Sequence, residues 1–398
     1  MSASRLAFLA ISVALAACAP QGAPPAPAGP PYSSADTSGP PQPFGSAVQI
    51  AADRVLSATP GQAGRQQVII DPLVDGVTGA QSAATQRIQE RILEVARKSY
   101  PQFDFVPFSA DAVAKTKLVM VGTFTPIGTK PAVPDKDAFR FCLVMGDLAS
   151  GKAVAKAVTK AQAEAVDNTP TAFFRDSPAW TDDPLVKSYI ATCQATKVGD
   201  AIPASYVSGL LTAAIVSDAI DAYAAGRYAA ALELYRNAQQ TKAGDQLRVH
   251  NGIYLTTLKL GRRPEAERAF GDLVNYSLAN KRLAVKLLFR PGSTGLAGDE
   301  GQTAMWLRQI AEGAARQGTC IQVSGHTSRS GAAALNQQLS LLRAEVIKAR
   351  LEELAPGLKG KLIAAGFGSS QNLVGTGADN ASDALDRRVE FRVVDACT

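Results

Sequence analysis

Polar residues near the C-terminus are spaced as a ligand site at the start of a helix would require. Residues 325–328 read Gly-His-Thr-Ser and are followed by Asn336, Ser340 and Arg343, which stand four and three positions apart. Residues at these steps share one helix face, so they are expected to form a polar stripe that begins beside the 325–330 loop. Backbone N–H groups and the positive end of the helix dipole suit a carboxylate there, and Arg343 would supply a bidentate guanidinium.

The helix that would carry this stripe is predicted over 331–354, which contains no proline. Apolar side chains recur at steps of four and three, one residue before the polar stripe, and predict the buried face of an amphipathic helix. These residues are Leu335, Leu339, Leu342, Val346 and Ala349. The alternative is that Asn336 and Ser340 are ordinary solvated residues and that Arg343 pairs with a surface acid.

Five motifs in this region resemble the OmpA-like peptidoglycan-associating domain, whose pattern reads roughly GHTD, N, LS, RA and NRRVE. In the same order this chain has GHTS at 325–328, Asn336, LS at 339–340, RA at 343–344 and RRVE at 387–390. The resemblance implies an α+β domain that binds peptidoglycan non-covalently through the diaminopimelate of its peptide stem. The site residues it implies are Thr327, Ser328, Asn336, Arg343, Asp386 and Arg387, with His326 in a structural role.

Ser328 departs from the family pattern, because the resemblance implies an aspartate there that binds the ammonium of diaminopimelate. A hydroxyl cannot neutralise a cation, and loss of one charge-assisted hydrogen bond of about 1.5–3 kcal/mol should weaken that ligand roughly ten- to a hundredfold. Where the family has asparagine before its paired arginines, this chain has Asp386. Either the carboxylate has moved to position 386, or Asp386 forms a salt bridge with Arg387 or Arg388. The two arginines alternate across a strand, so at most one should face the ligand.

The N-terminus indicates secretion and lipid anchoring. An apolar run at 6–15 is too short to span a bilayer, and it ends in the sequence LAAC at 15–18. That tetrad resembles a bacterial lipobox, which implies a signal peptide at 1–17, acylation of Cys18 and an anchor of several acyl chains. Ala19 in place of aspartate resembles the pattern for sorting to the outer membrane. The alternative is an ordinary secretory signal, and no other segment is expected to be apolar enough to cross a membrane.

Composition divides the rest of the chain into a tether and three folded parts. Residues 18–46 are rich in Pro, Gly, Ala and Ser, cannot bury a core and favour extended polyproline II, so they predict a tether. An α/β domain is expected at 47–203, a helical repeat region at 204–280 and an OmpA-like domain at 281–398. A length of 398 residues with 46% hydrophobic residues is consistent with such a multidomain α+β protein.

The first folded part has the pattern of alternating strands and helices. Strands are predicted at 66–72, 103–107 and 118–126, a helix at 82–99, and a hairpin of strands at 139–147 and 153–163. This order, with the turn LASGK at 148–152, resembles the periplasmic domain shared by LpoB-type synthase activators and the curli secretion lipoprotein CsgG, which implies a protein-binding domain. An irregular segment at 167–184 contains Phe173, Phe174 and Trp180. It is either an exposed binding loop or a plug whose aromatic side chains fill the domain's own core.

A repeat of helical hairpins is predicted after position 204. The residues of the first copy, Gly226, Ala231 and Tyr235, are matched 35 positions later by Gly261, Ala266 and Phe270. The small residue at the turn, the alanine at the helix contact and the aromatic residue after it resemble tetratricopeptide repeats. Two repeats are fewer than the three normally needed to stand alone, so this pair must pack on a neighbour. It either forms a groove for partner peptides or fixes the angle between domains.

The C-terminal domain is expected to follow the order β-α-β-α-β-β, with its helices on one face of the sheet. The predicted strands are 283–289, 320–326, 362–367 and 388–394. A helix is predicted at 300–316 before the 331–354 helix, and a short turn region is predicted at 379–385.

The cysteines fit an oxidising compartment. If Cys18 of the five cysteines is lipidated, four remain, and they allow three pairings. Pairing within each folded part, Cys142 with Cys193 and Cys320 with Cys397, is the economical arrangement. A metal site is the competing use of these residues, but the chain has no Cys-x-x-Cys motif and only two histidines.

Enzyme and nucleic-acid functions find no support in the sequence. Residues 366–368 (Gly-Phe-Gly) lack the rest of a dinucleotide fingerprint, and His326 has no nucleophile with a carboxylate at recognisable spacing. No cofactor or metal is therefore expected. The net charge of +6 is spread along the chain without a Lys/Arg run, which argues against nucleic-acid binding.

Two functions remain. The first is an outer-membrane lipoprotein that tethers the envelope to the peptide stem of peptidoglycan, with a protein partner at the helical repeats. The alternative is a periplasmic scaffold for assembly or secretion, whose OmpA-like domain has lost wall binding because Ser328 replaces the family's aspartate.

Overall fold

The structure is a computed structural model that describes residues 39–61, 64–128, 137–164, 166–180, 183–281, 283, 285–373 and 381–397, without the side chains of 381 and 382. The signal peptide, Cys18 and most of the predicted tether lie outside the described residues, so those predictions stay predictions. The helices are α1 Phe44–Ala58, α2 Ala83–Ser99, α3 Ala110–Lys115, α4 Ala172–Asp176, α5 Pro184–Gln194, α6 Ala204–Ala224, α7 Tyr228–Gln239, α8 Leu247–Lys259, α9 Arg263–Ala279, α10 Glu300–Gln317, α11 Ala333–Leu354 and α12 Ala381–Asp386. The strands are β1 Gln66–Ile70, β2 Val74–Asp75, β3 Phe103–Val106, β4 Leu118–Ile127, β5 Ala138–Asp147, β6 Lys152–Gln162, β7 Lys286–Leu288, β8 Cys320–Gly325, β9 Leu362–Gly366 and β10 Arg388–Val394.

The N-terminal part is a six-stranded sheet with helices on both faces, which confirms the predicted α/β class. The strand order is β3-β1-β4-β5-β6, with β2 beside β4. β1 runs parallel to β3 and β4, whereas β4, β5 and β6 are antiparallel. Alternation along β1 places Val68 and Ile70 in the core under α1 and α2, and Ile69 in the core under α5 and the first half of α6.

α1 is an element that the sequence analysis missed, and it takes up residues 44–46 of the predicted tether. It packs against β5 and β6 through an apolar stripe formed by Ala47, Val48, Ala51, Ala52, Val55 and Leu56. Pro43 precedes the helix, and no side chain caps its N-terminus. The sequence therefore lacks the usual signal of a helix start at this point.

The helical part consists of two hairpins, α6 with α7 and α8 with α9. Gly226 and Gly261 turn the two hairpins, each with a φ of 73° that favours glycine. Tyr235 and Phe270, which occupy equivalent positions in the repeat, are fully buried. α9 packs on α10 in a continuous core with the C-terminal domain, so the hairpin pair packs against a neighbouring part of the chain as predicted. Its assignment as tetratricopeptide repeats stays a prediction.

α6 belongs to two cores at once. Tyr206 and Leu210 pack under the N-terminal sheet, whereas Ile220 and Tyr223 pack in the core shared by the hairpins and the C-terminal domain. By length and composition α6 is apolar enough to cross a membrane, so the prediction that no segment other than 6–15 is so apolar is wrong. The same composition is typical of an interior helix, and 61% of its most apolar window is buried.

Within the segment 167–184, residues 167–171 hydrogen bond to residues 81–84 of the α/β domain, whereas residues 172–180 pack on the C-terminal half of the molecule. Phe173 and Phe174 lie on α4 and are buried in the shared core, where the rings of Phe173 and Tyr235 stack with centroids 5.8 Å apart. Ala179 forms a β-bridge with Val285 beside β7. The exposed binding loop is therefore wrong, and so is the plug in the α/β domain's own core, because these aromatic side chains fill the neighbouring core.

The C-terminal part is a four-stranded sheet of order β7-β10-β8-β9, which confirms the predicted β-α-β-α-β-β plan. β10 is antiparallel to β7 and β8, and β8 is parallel to β9. α11 covers β8 and β9 and packs against α10. β7 is shorter than the predicted strand at 283–289, and α12 takes up part of the predicted turn region.

Both predicted disulfides are present. Cys142 on β5 bonds to Cys193 on α5, and Cys320 on β8 bonds to Cys397 beyond β10, with Cα atoms 6.0 and 5.2 Å apart. The first bond is fully buried, whereas both cysteines of the second are partly exposed.

Candidate functional site

Two glycines allow α11 to lie directly on the ends of β8 and β9. A Cβ atom at Gly325 would lie 1.9 Å from the Ser340 carbonyl oxygen, and one at Gly366 would lie 2.7 Å from the Ser340 hydroxyl. A larger residue at either position would force the helix away from the sheet. The contact determines which helix face is buried, and that face consists of Asn336, Ser340, Arg343, Ala344, Ile347 and Leu351.

The predicted phase of α11 is therefore wrong. The predicted core positions Leu335 and Leu342 are 66% and 50% exposed. Leu339 and Val346 are only partly buried, and Ala349 is exposed. The residues expected beside the core, Asn336, Ser340 and Arg343, are instead 7%, 0% and 1% exposed.

Hydrogen bonding explains why polar side chains occupy the first half of this buried face. The helix lies so close to the strand ends that it meets backbone rather than apolar side chains there. The Ser340 hydroxyl accepts a hydrogen bond from the Gly368 N–H at 2.8 Å and donates to the Gln337 carbonyl at 2.8 Å. A polar side chain is stable in such a place when backbone groups satisfy it.

Arg343 does not present an open guanidinium. Its Nε donates to the Ser293 carbonyl at 2.9 Å, and its two terminal nitrogens donate to the carbonyls of His326 and Arg290, each at 3.0 Å. The guanidinium carbon lies 5.0 Å from the centre of the Phe289 ring. The chain after β7 thus covers the arginine, and the predicted bidentate fork is occupied by backbone oxygens.

Burial and a neighbouring cation both affect Arg343. Desolvation by burial and, as the smaller cause, the charge of Arg387 together lower its pKa to about 10. Three carbonyl dipoles replace the lost water, which makes the charge tolerable in this position. Arg387 is thus the paired arginine whose charge acts on Arg343.

Ser328, Thr327 and Asn336 come together at the start of α11. The hydroxyls of Ser328 and Ser330 are hydrogen bonded at 2.8 Å, and the Asn336 amide donates to the Ser330 carbonyl at 3.2 Å. Ser328 is 4% exposed and Thr327 is 3% exposed. The Thr327 hydroxyl oxygen is buried and has no hydrogen-bond partner within the described residues.

His326 is a core residue, as the resemblance implies. It is 1% exposed and stacks on Phe367 with ring centroids 5.4 Å apart. Burial, with the charge of Arg388, lowers its pKa to about 3, so the imidazole is neutral.

Of the two roles that the sequence left open for Asp386, the structure shows the salt bridge, and its partner is Arg388. It is fully buried, accepts a hydrogen bond from the Leu373 N–H at 2.7 Å, and lies 3.5 Å from an Arg388 nitrogen. Arg388 also donates from Nε to Glu390 at 2.6 Å. These contacts favour a structural salt bridge over a relocated ligand carboxylate.

Sequence reasoning missed a second buried polar cluster, around Lys286 at the edge strand β7. The Lys286 ammonium donates to the Ser177 carbonyl at 2.7 Å and lies 4.4 Å from the centre of the Trp180 ring. Trp180 Nε1 in turn donates to Glu390. A lysine within an apolar strand pattern was the available signal. Within the described residues, no three His, Cys, Asp or Glu side chains lie close enough to hold a metal ion.

Comparison with known proteins gives one family match. Residues 288–385 match the sequence model of the OmpA family. No curated protein matches the chain. Similar solved structures include the peptidoglycan-associated lipoprotein from Burkholderia pseudomallei, with 24% identity over 27% of this chain and 89% of that one and a TM-score of 0.25. The cell wall anchor of the T6SS from Pseudomonas aeruginosa has 30% identity over 27% and 73%, with a TM-score of 0.23. The periplasmic domain of Helicobacter pylori MotB has 18% identity over 28% and 71%, with a TM-score of 0.23.

Proposed function

Because residues 288–385 belong to the OmpA family, we propose that this chain is an outer-membrane lipoprotein whose C-terminal domain binds peptidoglycan non-covalently. The family match is the observation that carries the proposal. The motif residues 325–328, Asn336 and Arg343 support it, because they lie together where β8 meets the start of α11. The LAAC sequence at 15–18 supports acylation of Cys18, which would anchor the chain on the periplasmic face of the outer membrane.

The residues we propose for the wall contact are Thr327, Ser328, Asn336, Arg343, Asp386 and Arg387. Arg343 would bind a ligand carboxylate by exchanging the Ser293 and Arg290 carbonyls for carboxylate oxygens, which are stronger acceptors. The contact with the His326 carbonyl would persist, because that residue is held in the core. Binding would therefore require movement of the chain after β7. Asp386 would not touch the ligand; it would position Arg388 and the backbone at Leu373 through its salt bridge and hydrogen bond.

Sedimentation of the purified full chain with isolated sacculi tests this proposal. We expect saturable enrichment in the pellet that soluble muropeptides containing diaminopimelate compete away. A peptidoglycan-binding protein of the OmpA family serves as the positive control. The proposal fails if that control sediments and the full chain stays in the supernatant at every concentration.

The alternative function is a periplasmic scaffold that binds protein partners and not the wall. Two observations favour it: the guanidinium of Arg343 is occupied by backbone carbonyls, and a hydroxyl replaces the family's carboxylate at Ser328. The helical hairpins would then supply the partner surface. In the sedimentation experiment this alternative predicts no enrichment, together with recovery of a specific envelope protein after crosslinking in cells.

A further inference from the structure

Much of the exposed apolar surface lies on the outer side of α11. Four of the seven large apolar side chains that are exposed among the described residues belong to this helix, so the surface is concentrated there. Leu335 and Leu342 are 66% and 50% exposed. They form one stripe with Ala349, which is exposed, and with Leu339 and Val346, which are partly buried. A contiguous apolar surface that faces water is typical of an interaction site.

The spacing of this stripe is that of a coiled-coil seam. In the heptad abcdefg, Leu335, Leu342 and Ala349 occupy d positions, and Leu339 and Val346 occupy the a positions between them. The face that α11 buries on its own sheet begins one residue later and is a separate one. Leucine at d with valine at a favours a pair of helices. The stripe therefore indicates that one further helix packs along α11.

The residues beside the stripe argue against a lipid surface and favour a second copy of this chain. Glu345, which is exposed, and Glu352, which is half-buried, occupy g positions on one flank, and the exposed Arg350 occupies an e position on the other. Helices that bind anionic lipid carry Lys and Arg beside their apolar face rather than glutamate. A helix with acids on one flank and a base on the other is complementary to itself, because the flanks of paired helices meet.

The position of the domain relative to the stripe determines the orientation of such a pair. The domain lies on the e flank, since Asn336 and Arg343 at e positions are buried against it. In an antiparallel pair the two e flanks would meet, so the two domains would collide and glutamates would face glutamates. In a parallel pair each e flank meets a g flank, and a two-fold axis along the seam places the domains on opposite sides. Glu345 then lies beside the partner's Arg350.

We propose that two copies of this chain pair side by side through the α11 stripe, with parallel helices and with Glu345 of each copy on the partner's Arg350. The interface is isologous, because the same surface is used by both copies. α11 is already ordered on its own sheet, so pairing does not carry the cost of forming a helix that a free peptide of this length would bear. None of the stripe residues belongs to the proposed wall contact, so the pairing is independent of peptidoglycan binding.

Analytical ultracentrifugation of the purified full chain tests the pairing. Concentrations from about 1 μM to about 500 μM are required, because a seam of this length should bury less than the roughly 1,600 Å² of a standard interface. We expect a reversible monomer–dimer equilibrium. Leu342→Ser should weaken it at least tenfold, because each dimer loses two buried leucine side chains. Leu341→Ser, at a leucine that is 38% exposed outside the stripe, is the matched control and should associate as the parent chain does.

Two results of this experiment would overturn the proposal. One is a chain that stays monomeric at every concentration, which would mean that the stripe does not bind a second copy. The other is a dimer that Leu342→Ser leaves as tight as the parent, which would place the interface elsewhere. Because Leu342 is half exposed, its replacement should not unfold the chain.

Charge reversal tests the orientation. Glu345→Arg and Arg350→Glu should each weaken the dimer about tenfold, because each places like charges side by side twice in a parallel pair. The double variant restores opposite charges and should regain the affinity of the parent chain. In an antiparallel pair Glu345→Arg would instead relieve repulsion between glutamates. Tighter association of Glu345→Arg, or no recovery in the double variant, would therefore contradict the parallel arrangement.

Engineered cysteines give an independent test of the same geometry. Equivalent residues lie opposite one another in a parallel pair, so Leu335→Cys and Ala349→Cys should each form a disulfide-linked dimer on oxidation. A Cys18→Ser background removes the thiol that lies outside the two native disulfides. Leu341→Cys, outside the stripe, is the control for random collisions. Linkage only when the 335 and 349 variants are mixed, or equal linkage of Leu341→Cys, would overturn the parallel pair.

Discussion

The hydroxyl at position 328 determines the affinity of the proposed wall site for a cationic ligand. Ser328 is buried with its hydroxyl on Ser330, and the charges of Arg343 and Arg387 lie on the same side of the domain. This arrangement favours the carboxylates of a peptide stem and opposes its ammonium group. The proposed site is therefore suited to a carboxylate of diaminopimelate and not to its ammonium group.

Ser328→Asp should strengthen binding to sacculi by about ten- to a hundredfold, because a carboxylate would give the ligand ammonium a charge-assisted hydrogen bond. The measurement is the concentration of sacculi that sediments half of the full chain. Ser330→Asp is the matched control, since it adds the same charge and breaks the same hydroxyl pair at an exposed position. Equal gains in both variants would mean that the added charge acts non-specifically.

The sequence predicted which residues meet at this site but not how accessible they are. The motif spacing predicted a loop beside the start of a helix, and there Ser328 and Asn336 both contact Ser330. The cover over Arg343 comes from Arg290 and Ser293, which are 53 and 50 positions away. No periodic pattern links residues so far apart, so this contact could not be predicted.

At the scale of elements, α11 shows how an amphipathic pattern can mislead. Leucines at 335, 339 and 342 recur at core spacing, yet the helix buries the stripe one residue later. The cause lies in the partner, because Gly325 and Gly366 bring the helix onto backbone that small polar side chains satisfy. Pairs of glycines at the ends of two adjacent strands were the available signal for the correct phase.

The edge strand β7 carries a lysine that should make folding stability depend on pH. Burial lowers the pKa of Lys286 from 10.5 to about 7, although the charge of Glu390 opposes this shift and that of Arg388 adds to it. Between these values the unfolded chain holds a proton that the folded chain has lost. The free energy of unfolding should therefore rise with pH from about 7 towards 10.5, and below pH 7 this contribution should be constant.

Lys286→Met should abolish this slope, which amounts to at most about 1.4 kcal/mol per pH unit. The measurement is urea unfolding of both proteins between pH 6 and 9.5, taken as the difference between their free energies of unfolding. Lys115→Met changes a largely exposed lysine on α3, so its free energy of unfolding should depend on pH as that of the parent protein does. If the free energy of unfolding of Lys286→Met has the same pH dependence as that of the parent protein, Lys286 keeps its ordinary pKa in the folded chain.

The two disulfides should differ in how readily they are reduced in the folded protein. Cys142 and Cys193 are fully buried, whereas Cys320 and Cys397 are partly exposed at the end of the C-terminal sheet. A thiolate must reach a sulfur to attack it, so dithiothreitol should open Cys320–Cys397 first. Alkylation at timed intervals, followed by mass spectrometry, measures the order in which the two disulfides are reduced. Equal rates, or earlier loss of the buried bond, would contradict the packing described for β5 and α5.

At the scale of the whole molecule, the three predicted folded parts are not independent. In the segment 167–184, residues 167–171 hydrogen bond to the α/β domain, and residues 172–180 pack in the core shared by the hairpins and the C-terminal domain. The sequence analysis assigned this segment to the first domain, because its residues alone do not indicate which distant elements they pack against. α6 makes the same connection as a continuous helix, with Leu210 in one core and Ile220 in the other.

A helix shared by two cores should make them unfold together, so we expect the full chain to give a single calorimetric transition. Ile215→Pro would break α6 between the two cores, because proline removes a helix hydrogen bond at a cost of about 3 kcal/mol or more. This variant should show two transitions, whereas Ile215→Ala, which shortens the same half-buried side chain and keeps the helix, should show one at a lower temperature. Two transitions in the parent protein would show that α6 does not couple the cores. One transition in Ile215→Pro would show that the segment 167–184 and the remaining contacts are enough to join them.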